Sequence, residues 1–202
     1  MADQDILIGP GTLWRAPEST ANPDESTVAY GASWGGSWVD MGELLEGSPV
    51  VLSIAEDFTK VYTEQSTSPK NAVRTRREVM IKGTLAEHTI ANMEIMLQAT
   101  AAATAAAGGG QKGFSDIDFG TESDVDFYKW GIEAFRKDAN GTKQPVRWFF
   151  HKGYIRLTGD INYAKQNPTG IPFEITVLGD GTQSAGEELG TLQIVTAAAT
   201  AT

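Results

Sequence analysis

Apolar residues in this chain recur mostly with a period of two, and only once with the spacing of a helix, which predicts a mainly β protein with one helix. Val50, Leu52, Ile54 and Phe58 fall on one side of an alternation whose other side is Ser53, Ala55, Asp57 and Thr59. That is the pattern of a half-buried strand. Val79, Ile81 and Leu85 alternate in the same way with Glu78, Met80, Lys82 and Thr84, and a Ser/Thr/Pro-rich crossing at residues 66–72 separates the two runs. At the start, Ile6 to Ile8 and Thr12 to Trp14 flank Gly9-Pro10-Gly11, which predicts two strand pieces around a turn. Tyr128, Trp130, Ile132 and Ala134 alternate before the turn signal Asn140-Gly141, and Val146, Trp148 and Phe150 alternate after it, so a hairpin is expected. Further strands are expected at 154–162 and 171–178, and at Leu192, Ile194 and Val195.

The helical spacing belongs to Ile90, Met93, Met96 and Leu97, with Thr89 placed to cap the first turn, so one helix is expected over about residues 89–99. Its Met-rich stripe suits a core face, because methionine fills irregular gaps beneath a helix. Segments 16–37 and 100–113, rich in Pro, Ser, Asn and Gly or in Ala and Gly, read as flexible loops, and 196–202 as an Ala/Thr tail. No solenoid repeat is visible, and all 202 residues are expected to form one domain.

Charge adds an asymmetry that the pattern does not contain. The net charge is -10. Residues 1–58 hold ten acids against Arg15 alone, whereas residues 59–82 hold six bases against two acids. The acidity argues against a protein that grips nucleic acid through its phosphates. The basic island could instead meet the acidic segment of another copy and set the register of a polymer. There is no cysteine, which removes disulfides and thiolate metal sites. No stretch has the ~18–20 consecutive apolar residues of a membrane-spanning helix, and the acidic N-terminus lacks a signal-peptide pattern. A soluble protein made in the cytosol is therefore expected.

Candidate chemistry is sparse. His88 and His151 lack the H-x-x-x-H spacing of a zinc helix, and neither a nucleophile elbow nor a phosphate-binding glycine loop occurs. The acids Asp116, Asp118, Glu122, Asp124 and Asp126 invite calcium, but an EF-hand loop starting at Asp116 needs Gly and Glu where Thr121 and Phe127 stand. Arg147-Trp148-Phe149-Phe150-His151-Lys152 interleaves bases and aromatics as single-strand binders do. Its alternation fits better a strand with Trp148 and Phe150 in the core. No catalytic residue, cofactor or metal is expected. A carbohydrate-binding β-sandwich that exposes Trp34 and Trp38 is the rival from another class.

Several stretches together resemble the major tail tube proteins of bacteriophages with long non-contractile, siphovirus-type tails. They are Trp38-Val39-Asp40-Met41-Gly42, Glu46-Gly47 before the strand at Val50, and Tyr62-Thr63-Glu64-Gln65. The run Arg77 to Glu87 leading into Thr89 to Met93 and the opening from Ile6 to Pro17 are similar too, so the likeness is carried by residues 1–100. It implies a β-sandwich or barrel-like fold with one flanking helix and long inter-subunit loops, shared with contractile-tail tubes and type VI secretion ring proteins. It also implies six-membered rings stacked into a virion tail tube. Such a tube meets a tape measure protein and the tail tip and terminator proteins, and it passes double-stranded DNA without specific binding. The subunit would be made in the host bacterial cytoplasm. Within that frame Ser53, Glu56, Asp57, Thr59 and Glu78 are candidates to line the lumen. Lys60, Tyr62, Lys70, Arg74, Arg76 and Arg77 are candidates for the contact between rings.

Overall fold

The expected alternations become strands of one antiparallel sheet. The computed structural model describes residues 7–24, 28–65, 67–99, 101–110, 112–121, 124–138, 140–163, 165 and 168–196. Ile6, Glu122 and the tail beyond residue 196, each singled out from the sequence, lie outside them. In chain order the elements are β1 (Leu7–Ala16), β2 (Val39–Asp40), β3 (Val51–Val61), β4 (Asn71–Leu85), α1 (Ile90–Leu97), β5 (Ala101–Ala105), β6 (Phe114–Ile117), β7 (Tyr128–Lys137), β8 (Lys143–Leu157), β9 (Ile171–Leu178) and β10 (Gly190–Ile194). The main sheet is eight-stranded and runs β2-β1-β7-β8-β9-β4-β3, with β10 also paired to β8. A mainly β fold with one helix, as expected, is what forms.

β8 organises the sheet. One of its edges pairs with β7 along most of its length. The other edge takes β10 opposite Val146–Phe150 and β9 opposite Lys152–Leu157. The sequence predicts two strands here, but a single 15-residue strand continues through Gly153. The β1/β7 half and the β9/β4 half then share one core across β8, which holds Leu13, Trp130 and Ile132 from the first, Phe150 from β8 and Ile81, Leu85, Phe173 and Ile175 from the second.

The helix starts as its sequence requires: the Thr89 hydroxyl accepts from the Asn92 N–H at 3.2 Å. Ile95 and Met96 reach the core, whereas Ile90, expected on the same stripe, is exposed. The helix ends at Gln98 in a left-handed conformation (φ 52°) that usually falls to glycine. Gln98 holds it with its side chain, donating to the carbonyls of Ile95 and Ile155 and accepting from the Asp126 N–H.

Three expectations need correcting. The opening is one strand with a bulge between Ile8 and Thr12, where Gly9 (φ 104°) supplies the conformation an L side chain resists. Segment 100–113, expected as a loop, contains β5, which pairs with β6 across a glycine-rich turn. Segment 16–37 does lack strands beyond β1, but its later part is anchored, with Trp34 4% and Trp38 6% exposed. These two rings pack with Trp14 and Phe149 on the face of the sheet that turns away from the main core. The buried pair Glu133–Arg147 lies beneath them at 3.0 Å. Trp34 Nε1 and the Gly31 N–H donate to Glu133, and Arg147 donates to the Val28 carbonyl. The ion pair therefore fixes the loop to the sheet.

Candidate assembly surfaces

Most of the 60–77 segment, which carries the basic candidates, is strand or tip around the crossing at 66–72. β3 and β4 pair from Val51↔Lys82 to Val61↔Asn71, so only residues 62–70 turn. β9 covers the far edge of β4 only from Val79 to Leu85. Among the described residues, Asn71–Glu78 therefore pairs with no strand but β3, and at ~3.4 Å per residue this two-stranded arm overhangs the sheet by about 24 Å. The outer edge of β3 is unpaired along its whole length among the described residues. Phe58, Val61, Tyr62 and Val73 on the arm, and Ile54 at its base, are 45–57% exposed. An isolated surface of this kind, apolar and open at its edges, is what an interaction site leaves behind when its partner is removed.

Directly opposed residues share a face of a strand pair, so the register sorts the candidates. Ser53, Asp57 and Thr59 stand on one face, together with Glu78 opposite Ala55 and Arg76 opposite Asp57. Glu56 departs from the expected set. It lies on the other face with Ile54, Phe58, Lys60, Arg77 and Arg74. That follows from the alternation of β3 itself; a bulge decides instead which bases join it, because Thr75 is an extra residue between the pairs Asp57↔Arg76 and Phe58↔Arg74.

The basic island is mostly neutralised within the arm. Arg74 and Arg77 both bind the Glu56 carboxylate, the first at 2.8 Å, and Arg76 binds Glu78. Lys60 and Lys70 have no ion-pair partner among the described residues, and they stand near the tip with the exposed Tyr62. The face bearing Asp57 and Glu78 continues across β4, β9 and β8 to Lys82, Glu174 and Arg156. Lys82 Nζ lies 2.8 Å from Glu174, and Arg156 grips the same carboxylate. Hydrogen bonds from Lys82 and then Arg156 hold the Glu174 carboxyl below the usual carboxylate range. Three bases on this face, Arg76, Lys82 and Arg156, thus stand among three acids, Asp57, Glu78 and Glu174. At its corner, Lys152 pairs with Glu18 at 3.5 Å.

The other sequence candidates occupy structural positions. Phe149, Phe150 and Arg147 are buried, so this stretch cannot offer its aromatic faces to bases. His88 approaches the Thr169 carbonyl at the surface. His151 is half-buried, and burial followed by the nearby Lys129 lowers its pKa. Asp116, Asp118, Asp124 and Asp126 are exposed on and beside β6.

The model of the phage tail tube protein family matches residues 1–189. The chain belongs to that family. No individual curated protein matches it. As a phage tail tube protein it is a structural component of the virion tail, and its family self-assembles into a tube. The match extends well beyond residues 1–100, to which the sequence likeness was confined. It gives the uncovered arm a context, since a polymer subunit must carry surfaces that only other copies complete. Among the described residues no helix is long and apolar enough to cross a membrane.

Proposed function

We propose that the subunit forms hexameric rings that stack into a non-contractile tail tube, and that the β3–β4 arm makes the contacts between copies. The observation that carries this reading is the arm itself, which leaves large apolar side chains and strand edges without partners on a chain of tail tube ancestry. Joining such edges between subunits removes them from water and closes the sheet, which a lone subunit cannot do. Head-to-tail stacking propagates without limit. Tail length must then be set from outside, by a tape measure protein, with tip and terminator proteins at the two ends.

The face with Ser53, Asp57, Thr59 and Glu78 suits the lumen. Duplex DNA carries one charge per ~1.7 Å, and unpaired Lys or Arg along its path would bind it by counterion release. On this face the bases stand beside carboxylates, so DNA passes without specific binding. Glu56, on the opposite face, belongs with the arm's own ion pairs. Synthesis in the host cytoplasm and assembly into the virion follow from the same reading.

Electron microscopy of the purified full chain tests it, with tubes of uniform diameter expected. Replacing residues 58–75 by an Asn-Gly hairpin turn should leave a folded subunit that forms none. Tubes formed without the arm would overturn its assigned role, and a wild-type chain that forms neither rings nor tubes, alone or on tail tips, would overturn the function.

A further inference from the structure

The arm has a basic tip, and the opposite end of the same strand is acidic. β4 runs from Asn71 at the tip to Leu85 at the base, roughly 47 Å at ~3.4 Å per residue. Beyond Leu85, the chain segment 43–45 folds against the end of β4. Leu44 bridges Leu85, and the Ala86 N–H donates to the Glu43 carbonyl at 2.8 Å. Here lies an open concavity of about 410 Å³, bounded by Pro10, Asp40, Glu43, Leu44 and Glu87. Leu44 and Pro10 give it an apolar wall. The three acids are exposed, as is Glu46 beside them, and none forms an ion pair among the described residues. Residues 39–49 contain no base at all.

We infer that this concavity receives the arm tip of a second copy, with Lys60 and Lys70 facing Asp40, Glu43, Glu46 and Glu87 and Tyr62 against Leu44 and Pro10. The inference rests on the tube reading and names the surface that the arm engages. Three observations support a second copy as the occupant. The tip carries the arm's two unpaired lysines and an exposed aromatic ring, which match the acids and the apolar wall. The two surfaces stand at opposite ends of one long strand pair, too far apart to meet within a subunit. Two different patches at opposite ends are also what a heterologous, head-to-tail contact needs in order to propagate. The other acidic surface, around Asp116 and Asp118, is a poorer match. It leads into β7 at Tyr128, which lies level with Gly153 and Val177, where the arm leaves the sheet rather than at the far end.

Charge exchange in the full chain tests this. K60E/K70E and E43K/E46K should each raise the protein concentration needed for tubes by about tenfold or more, because like charges are then opposed. All four changes together should restore tubes, and D116K/D118K should leave assembly unchanged. Thermal unfolding checks that each variant is folded. The inference is overturned if E43K/E46K assembles normally, if the fourfold variant is not rescued, or if D116K/D118K takes over the effect. In all three outcomes wild-type tubes still form, which separates failure of this docking surface from failure of the tube function.

Discussion

Glu133 and Arg147 are 1% and 0% exposed, and their value lies in what they hold. The carboxylate accepts from Trp34 and Gly31 of the 17–38 segment, while the guanidinium donates to Val28. Arg147 Nη1 has no partner among the described residues, so the pair is not fully compensated. Glu133→Ala would leave a buried cation alone and should cost about 3–5 kcal/mol in chemical denaturation. Glu133→Met with Arg147→Met should recover only the part due to the unpaired charge, because Trp34 Nε1, the Gly31 N–H and the Val28 carbonyl then lack their partners. Gly131 lies directly under the Trp34 ring, leaving no room for a Cβ. Gly131→Ala should therefore cost about 1–3 kcal/mol through overpacking, with a shift in tryptophan emission. Asp180 provides a pH signature. Hydrogen bonds from the Gln183 side chain, then from the N–H and hydroxyl of Thr182, lower its pKa to about 2. A depressed carboxyl stabilises the fold above its unfolded pKa, and that contribution disappears as pH falls through the folded value. The melting-temperature gap between wild type and Asp180→Asn should accordingly be constant above about pH 4 and close towards pH 2.

At the level of elements, the bulge at Thr75 decides how much could be seen in advance. β3 keeps its alternation without interruption, and its two faces are those the sequence predicts. β4 does not. With one extra residue at Thr75, Val73 and Val79 fall on opposite faces, although a period of two would place them together. The strand is therefore legible in the sequence only from Glu78 onwards, and the first half of β4 carries no period that marks it as strand. The helix was legible because its cap and its spacing are local, as was the β7–β8 hairpin with its Asn140-Gly141 turn. The β5–β6 ribbon was hidden for the converse reason, since Ala and Thr carry too little contrast to reveal a period. Of the candidate surfaces, the two faces of β3 were legible and already set Glu56 apart from Ser53, Asp57 and Thr59; what was not legible is that Arg74, Arg76 and Arg77 are engaged within the arm. Their reversal would break the hairpin's own ion pairs before it touched a neighbour. Phe58→Asp avoids that confusion. It removes only exposed apolar surface, and should leave the melting temperature within a degree or two while blocking tube formation in light scattering.

For the whole molecule, a net charge of -10 and a polar face whose bases stand beside acids fit the proposed conduit, which DNA would then cross without binding. Ser53→Lys with Glu78→Lys should turn that face basic and release Arg76 from its partner. Tubes of this variant should retain short duplex DNA at low salt and lose it steeply as salt rises, whereas wild-type tubes retain none. Absence of retention by the variant would show that this face lies away from the channel.

The overhang of the arm has a kinetic side as well. A two-stranded hairpin with no third strand and no core beneath it is marginal in water. Its amides should exchange with solvent within the free subunit far faster than those of β7 or β8, and become protected once neighbours arrive. The first contact between two free subunits must then bear the cost of ordering both arms, while addition to an existing ring orders only the newcomer's. On the proposed ring assembly, spontaneous initiation should be slow and elongation fast, which would keep a concentrated pool of subunits in solution until a tail tip offers the first ordered surface.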